Sequence, residues 1–297
     1  FAAFFFFFLN KRQINYVRDN QNKVPNIFSK FIKLKDHKKA ASYTIAKTQF
    51  GSVGIAVSAI ITYYLTVGGG INQLNEFFVF IDTNSILGGS IIVTSLAILL
   101  SLIDIPTNLY STFVIEEKFG FNKTKIRTFV SDIIIDLVTT AVVTFSIIFI
   151  SLWIISALGT FWWLWLWGFF SSVIILMSAL APLLQQLKNK FYPLEDKKLK
   201  VSIEKLLTKC GFESKGLFIM NGSLRSSHGN AFFGGFGKTK RIIFFDTLLE
   251  KLTHKEIEAV IAHELGHFKM NHVKKFMAIM ITILFITLYL LGGLKDN

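Results

Sequence analysis

The strongest constraint on this chain is a set of long apolar runs at about residues 49–68, 84–103, 130–157, 160–181 and 273–294, none carrying more than two charged residues. As helices rising about 1.5 Å per residue, runs of this length reach across a hydrocarbon layer of about 30 Å. Lipid offers no water to backbone N–H and C=O groups, so such runs are expected as helices, which satisfy those groups internally. A further run, Phe4 to Phe8 within about 1–9, reads as the tail of another span. Because Phe1 is not an initiating methionine, the sequence is expected to lack its beginning. With 52% hydrophobic and only 17% charged residues, the composition is not that of an ordinary soluble globular protein. The predicted class is mainly α, a multi-pass membrane protein. Its expected parts are a transmembrane helical bundle over 1–181 (first span incomplete), a cytoplasmic-side catalytic segment over 182–272, and a further transmembrane helix over 273–297, after which the chain is expected to be truncated.

A net charge of +13 would suit nucleic acid, but its distribution points to a bilayer instead. The segment Lys11 to Lys47 is rich in Lys, including Lys33, Lys35, Lys38 and Lys39, with only Asp19 and Asp36 opposing. The loop Asn72 to Glu76 has no Lys or Arg, the loop Asp104 to Arg127 ends in Lys118, Lys123, Lys125 and Arg127, and the turn near Gly159 is uncharged. Basic and neutral loops alternate as the positive-inside rule requires, which places 182–272 on the cytoplasmic side. No nucleic-acid partner is needed to explain the charge. Trp162, Trp163, Trp165 and Trp167 crowd one end of the run at 160–181 and are expected as an interfacial aromatic belt. The single cysteine, Cys210, excludes an internal disulfide and a Cys-rich zinc site.

Chemistry concentrates in the polar segment. An amphipathic helix is predicted near Lys197–Cys210. Two strand-like pieces follow, Ser226 to Phe233 and Arg241 to Phe245, flanking Gly234, Gly235 and Gly237 as in a hairpin with a glycine-rich turn. Thr253 and Glu256 have the spacing of a capping box that would start the next helix. That helix contains His263-Glu264-Leu265-Gly266-His267. Histidines four apart project about 40° apart from one helix face, close enough to hold one metal ion. The intervening Glu264 can take a proton from a water activated by that metal. Zinc in a hydrolase takes three protein ligands, so one is missing. The metzincin solution is excluded, because Met270 and Val273 stand where it needs Gly and His. His272 lies five residues from His267, which on a continuous helix turns it about 140° to another face. Residues 273–297 contain no Glu. Glu116, Glu117 or another upstream acid completes the site, or the ligand lies beyond Asn297, the reading favoured here.

Several further segments resemble the type I CAAX prenyl endopeptidase family. They are Ser111 to Lys118 with Gly120-Phe121-Asn122-Lys123, Pro193-Leu194-Glu195-Asp196, Ser226-Ser227-His228-Gly229-Asn230-Ala231, and Arg241 to Leu248. They occur in order through most of the chain. The resemblance implies a helical bundle around an intramembrane chamber with a small α+β zinc-protease segment, and one catalytic Zn2+ at the cytoplasmic end. It implies His263 and His267 as zinc ligands, Glu264 as the catalytic base, and a glutamate ligand on a segment after Asn297. It also implies that Asn230 and Ala231, with His228 as a further candidate, contact the extended substrate, a peptide or protein that is C-terminally prenylated. The expected setting is a bacterial inner membrane or the endoplasmic reticulum. Two alternatives stay open: a membrane quality-control zinc protease without a prenyl requirement, and a non-enzymatic scaffold or transporter.

Overall fold

The computed structural model describes residues 1–212, 214, 216–234 and 241–295, which fall into two compact units, Phe1–Asn122 and Lys123–Asn297. Among the described residues, five helices are long and apolar enough to cross a membrane: Leu34–Thr66, Ile86–Glu116, Ile126–Ala157, Gly159–Ala181 and His272–Leu294. They coincide with the five apolar runs.

In the first unit, α1 (Ala2–Asn20) packs along α2 (Leu34–Thr66), and Asn10 Nδ2 donates to Ser52 Oγ across that contact at 3.0 Å. With 33 residues, α2 is about 50 Å long, so its lysine-bearing first turns extend past the hydrocarbon. A short helix α3 (Gly70–Phe77) leads to α4 (Ile86–Tyr110), whose start is capped by the Ser85 hydroxyl accepting from Gly88 N–H at 3.0 Å. The sequence reading ends this span near residue 103 and begins a loop. Instead the helix continues through Pro106 to Tyr110 and widens into a π-helical turn over Ser111–Glu116. Glu116 accepts from the Tyr43 hydroxyl at 2.6 Å and lies 3.5 Å from Lys47 Nζ. Both partners belong to α2.

The second unit holds α5 (Ile126–Ala157), α6 (Trp162–Gln185), the polar segment and α10 (His272–Lys295). The expected tryptophan belt is largely internal to the protein. Trp162 is buried with Ile154, Leu166 and Leu288, while Trp163 packs edge-on against Phe285 and Tyr289 of α10. Trp167 Nε1 donates to the Ile281 carbonyl at 3.1 Å, and of the four tryptophans Trp165 is the exposed one. The indoles serve the contact between α6 and α10, where an apolar ring and one N–H both find partners.

The polar segment is an α+β layer. A four-stranded sheet runs in the order β1 (Phe191–Pro193), β2 (Leu217–Met220), β4 (Arg241–Phe245), β3 (Ala231–Gly234). The β2–β4 pair is parallel and the outer two pairs are antiparallel. The paired strands β3 and β4 match the expected hairpin, although β3 starts at Ala231 rather than Ser226; Gly235 and Gly237 lie outside the described residues. Strands β1 and β2 were not anticipated. Helix α7 (Lys197–Lys209) buries Leu199, Ile203 and Leu207, one residue per turn, and its first turn is capped by Asp196 accepting from Leu199 N–H at 3.0 Å. After the short α8 (Asp246–Lys251) comes α9 (His254–Lys269), which buries Ile257, Ile261 and Leu265 in the same core as Leu199, Ile203, Ile242 and Phe244.

Candidate metal centre

Helix α9 begins with the capping box read from the sequence: Glu256 N–H reaches Thr253 Oγ1 at 3.4 Å, and Thr253 N–H reaches Glu256 Oε2 at 2.8 Å. Its buried stripe at Ile257, Ile261 and Leu265 decides which face turns outward. His263 and His267 follow two residues after Ile261 and Leu265, about 200° round the helix, and both are exposed. Glu264, adjoining Leu265, is half-buried. The helix packs against both α7 and β3.

The two imidazoles converge. Their ring centres are 4.9 Å apart, and His263 Nε2 and His267 Nε2 face each other at 3.3 Å. Two nitrogens each about 2.05 Å from one zinc at a tetrahedral angle stand about 3.3 Å apart. The pair therefore fits as two of the ligands of a tetrahedral zinc ion. Among the described residues, no group of three or more His, Cys, Asp and Glu is arranged to hold a metal. His272 sits beside His267 rather than on another face: the two Nδ1 atoms are 2.8 Å apart and the ring centres 4.9 Å. The expected rotation assumed a continuous helix, and the helix breaks at Asn271, whose φ is 55°.

Strand β3 is the last in the sheet, and the buried Ala231 side chain joins the core that supports α9. Phe245 N–H donates to the Asn230 carbonyl at 2.9 Å, so the alternation of the antiparallel ladder turns the peptide groups of Ala231 and Phe233 away from β4. Asn230 Oδ1 accepts from Ala231 N–H at 2.9 Å. The backbone at His228 is pinned by Thr247 Oγ1, which donates to its carbonyl at 2.8 Å, and by its own N–H donating to Ser226 Oγ at 3.1 Å. His228 and Asn230 are both exposed.

Against known proteins, residues 13–186 match the family model described as CAAX prenyl protease N-terminal, five membrane helices, and residues 193–296 match Peptidase family M48. The chain belongs to the CAAX prenyl protease family. Probable CAAX prenyl protease 1 of Schizosaccharomyces pombe is 32% identical over 279 residues, covering 89% of this chain and 58% of that protein. CAAX prenyl protease 1 of Saccharomyces cerevisiae is 41% identical over 180 residues, covering 60% of this chain and 40% of that protein. The crystal structure of S. mikatae Ste24p superimposes with a TM-score of 0.91 at 29% identity, over 98% of this chain and 69% of that one. The chain thus spans about half the length of these two curated relatives.

This CAAX protease family member is an integral membrane protein, and one of its structural residues escaped sequence reading. Arg225 precedes β3 and grips Asp132 of α5 with Nε to Oδ2 at 2.6 Å and Nη2 to Oδ1 at 2.7 Å. Its Nη1 donates to Asn189 Oδ1 at 2.8 Å and its Nη2 to the Lys188 carbonyl at 2.9 Å. The Arg225 carbonyl accepts from Lys123 N–H at 3.1 Å and from Thr124 Oγ1 at 2.9 Å. The available signal was the pair Asp132 and Asp136 in the first turns of an apolar span, where acids imply partners.

Proposed function

We propose that the protein is a membrane-embedded zinc endopeptidase of the CAAX type, cleaving peptide bonds near the C-terminus of prenylated substrates. The observation that carries this reading is the 3.3 Å approach of His263 Nε2 and His267 Nε2 on a helix packed against an edge strand. His263 and His267 would hold the metal as two of its three protein ligands, a glutamate being the third. A zinc ion held there would supply an activated water at neutral pH and Lewis-acid stabilisation of the developing oxyanion. The Glu264 carboxylate, half-buried on the same helix, takes the proton of the attacking water and delivers it to the leaving amine nitrogen. The outward edge of β3, starting at Ala231, pairs with the extended substrate, with the exposed Asn230 and His228 side chains flanking its start. The catalytic side faces the cytoplasm, in a bacterial inner membrane or the endoplasmic reticulum alike, because the basic loops lie on that side.

The test uses the full-length protein in detergent with matched CAAX peptides, farnesylated and not, and Glu264→Gln as the blank. Cleavage favouring the farnesylated peptide supports the proposal. Equal cleavage of both keeps the protease and removes the prenyl requirement, as expected of a quality-control enzyme. No cleavage above the blank overturns the enzymatic reading.

A further inference from the structure

Between α9 and α10 the chain does something that neither helix requires. Lys269 ends one helix and His272 starts the next, with only Met270 and Asn271 between them. Met270 N–H still reaches back to the Gly266 carbonyl at 3.0 Å, and the Asn271 carbonyl already accepts from Lys275 N–H at 2.9 Å. The break is therefore one residue wide, and that residue is in the left-handed region at φ 55°. Asparagine is the side-chain-bearing residue most often found there, after glycine itself. A continuous helix would carry His272 about 140° away from His267. The left-handed residue brings it back, so that His267 Nδ1 and His272 Nδ1 lie 2.8 Å apart, a hydrogen-bond distance.

A hydrogen must lie between those two nitrogens, and its ownership matters. A neutral imidazole that offers the lone pair of Nε2 to a cation carries its proton on Nδ1. For His267, whose Nε2 faces that of His263, the 2.8 Å contact then runs from His267 Nδ1–H to the lone pair of His272 Nδ1. We propose that His272 is a positioning residue. Its Nδ1 accepts from His267 Nδ1–H, fixing the tautomer and the ring plane in which His267 presents Nε2 to zinc, and Asn271 is the backbone device that places it. This inference rests on the zinc reading of His263 and His267. His272 itself is not a ligand: the nitrogen it contacts on His267 is the one remote from His263. Partners of this kind, bonded to the far nitrogen of a metal-bound histidine, typically contribute tenfold to a hundredfold in metal affinity.

The experiment is zinc affinity, measured by competition with a chromogenic chelator on the full-length protein in detergent. It is run for wild type, His272→Ala, His272→Asn and Asn271→Gly, together with the melting temperature of each zinc-free protein. The expected result is a tenfold to hundredfold weaker affinity in His272→Ala, substantial recovery in His272→Asn, whose amide oxygen can accept the same hydrogen, and near-wild-type affinity in Asn271→Gly, which keeps the left-handed turn. Zinc-free melting should be the same for His272→Ala and wild type. Wild-type protein that binds no zinc overturns the metal reading itself. Wild-type protein that binds zinc, with His272→Ala binding as tightly, overturns the positioning role alone. A loss in His272→Ala accompanied by an equal fall in zinc-free stability also overturns it, because the residue would then be holding the fold and not the ligand. If His272→Ala does not fold, the comparison of His272→Asn with Asn271→Gly decides: weakened zinc binding in both overturns the proposal.

Discussion

Arg225 and Asp132 meet in a two-pronged ion pair, Nε to Oδ2 at 2.6 Å and Nη2 to Oδ1 at 2.7 Å, with side chains 25% and 18% exposed. One belongs to the loop before β3 and the other to the first turns of α5, so the pair ties the sheet layer to a membrane span. A planar guanidinium matches both carboxylate oxygens, which an ammonium cannot do. Asp132→Asn and Arg225→Lys should each cost about 2 kcal/mol, since a partly desolvated charge is left without its matched partner. The pair of Lys188 with Asp136, whose carboxylate is 62% exposed, should be worth less than about 1 kcal/mol. Thermal melting in detergent of Asp132→Asn beside Asp136→Asn checks the order, and equal losses would refute it.

Glu264 and the two histidines should separate by what each loses. Glu264→Gln leaves both imidazoles at their 3.3 Å spacing, so zinc content should hold while cleavage falls by about a thousandfold. His263→Ala or His267→Ala should lose the metal as well. Elemental zinc analysis alongside peptide cleavage gives the comparison.

The caps of α7 and α9 make the sheet layer acid-sensitive. The Glu256 carboxyl is held below its ordinary range by the backbone N–H of Thr253 first and the Thr253 hydroxyl second. Asp196 is likewise held low, chiefly by Leu199 N–H and then by the charge of His254, whose Nε2 is 3.0 Å away. Both folded-state values are depressed. The stabilisation is therefore fully present above the unfolded values near about 4 and is lost as pH falls below them, through the folded ones. Melting temperature should fall between about pH 5 and pH 3, and less steeply in Glu256→Gln. Thr253→Ala should cost about 1 kcal/mol at neutral pH and Thr253→Ser much less, read by the same melts.

Gly292 of α10 lies against Trp163 of α6. A Cβ added there would stand 2.6 Å from Trp163 Cδ1, and that indole is already packed against Phe285 and Tyr289. Gly292→Val should therefore destabilise by about 1–3 kcal/mol through overpacking. Gly51 has nothing within 4 Å of its Cβ position, and Gly51→Ala in the same scan should be neutral or slightly stabilising.

What could be read from residues alone was whatever short-range geometry decides. The spans follow from apolar length, because a backbone in lipid has to satisfy its own hydrogen bonds. The convergence of His263 and His267, the capping box at Thr253 and Glu256, and the buried stripe of α7 follow from positions three or four apart on one helix. Tertiary structure decided the rest. Strands β1 and β2, three and four residues long, exist because each finds a neighbour across the sheet, and runs that short have no periodicity to read. The indoles of Trp162, Trp163 and Trp167 turned inward because α5 and α10 supply rings and a carbonyl that lipid does not. Arg225 found Asp132 across 93 positions of sequence. His272 came to His267 through one left-handed residue, since a single φ changes the direction of everything that follows it while leaving the local composition unaltered.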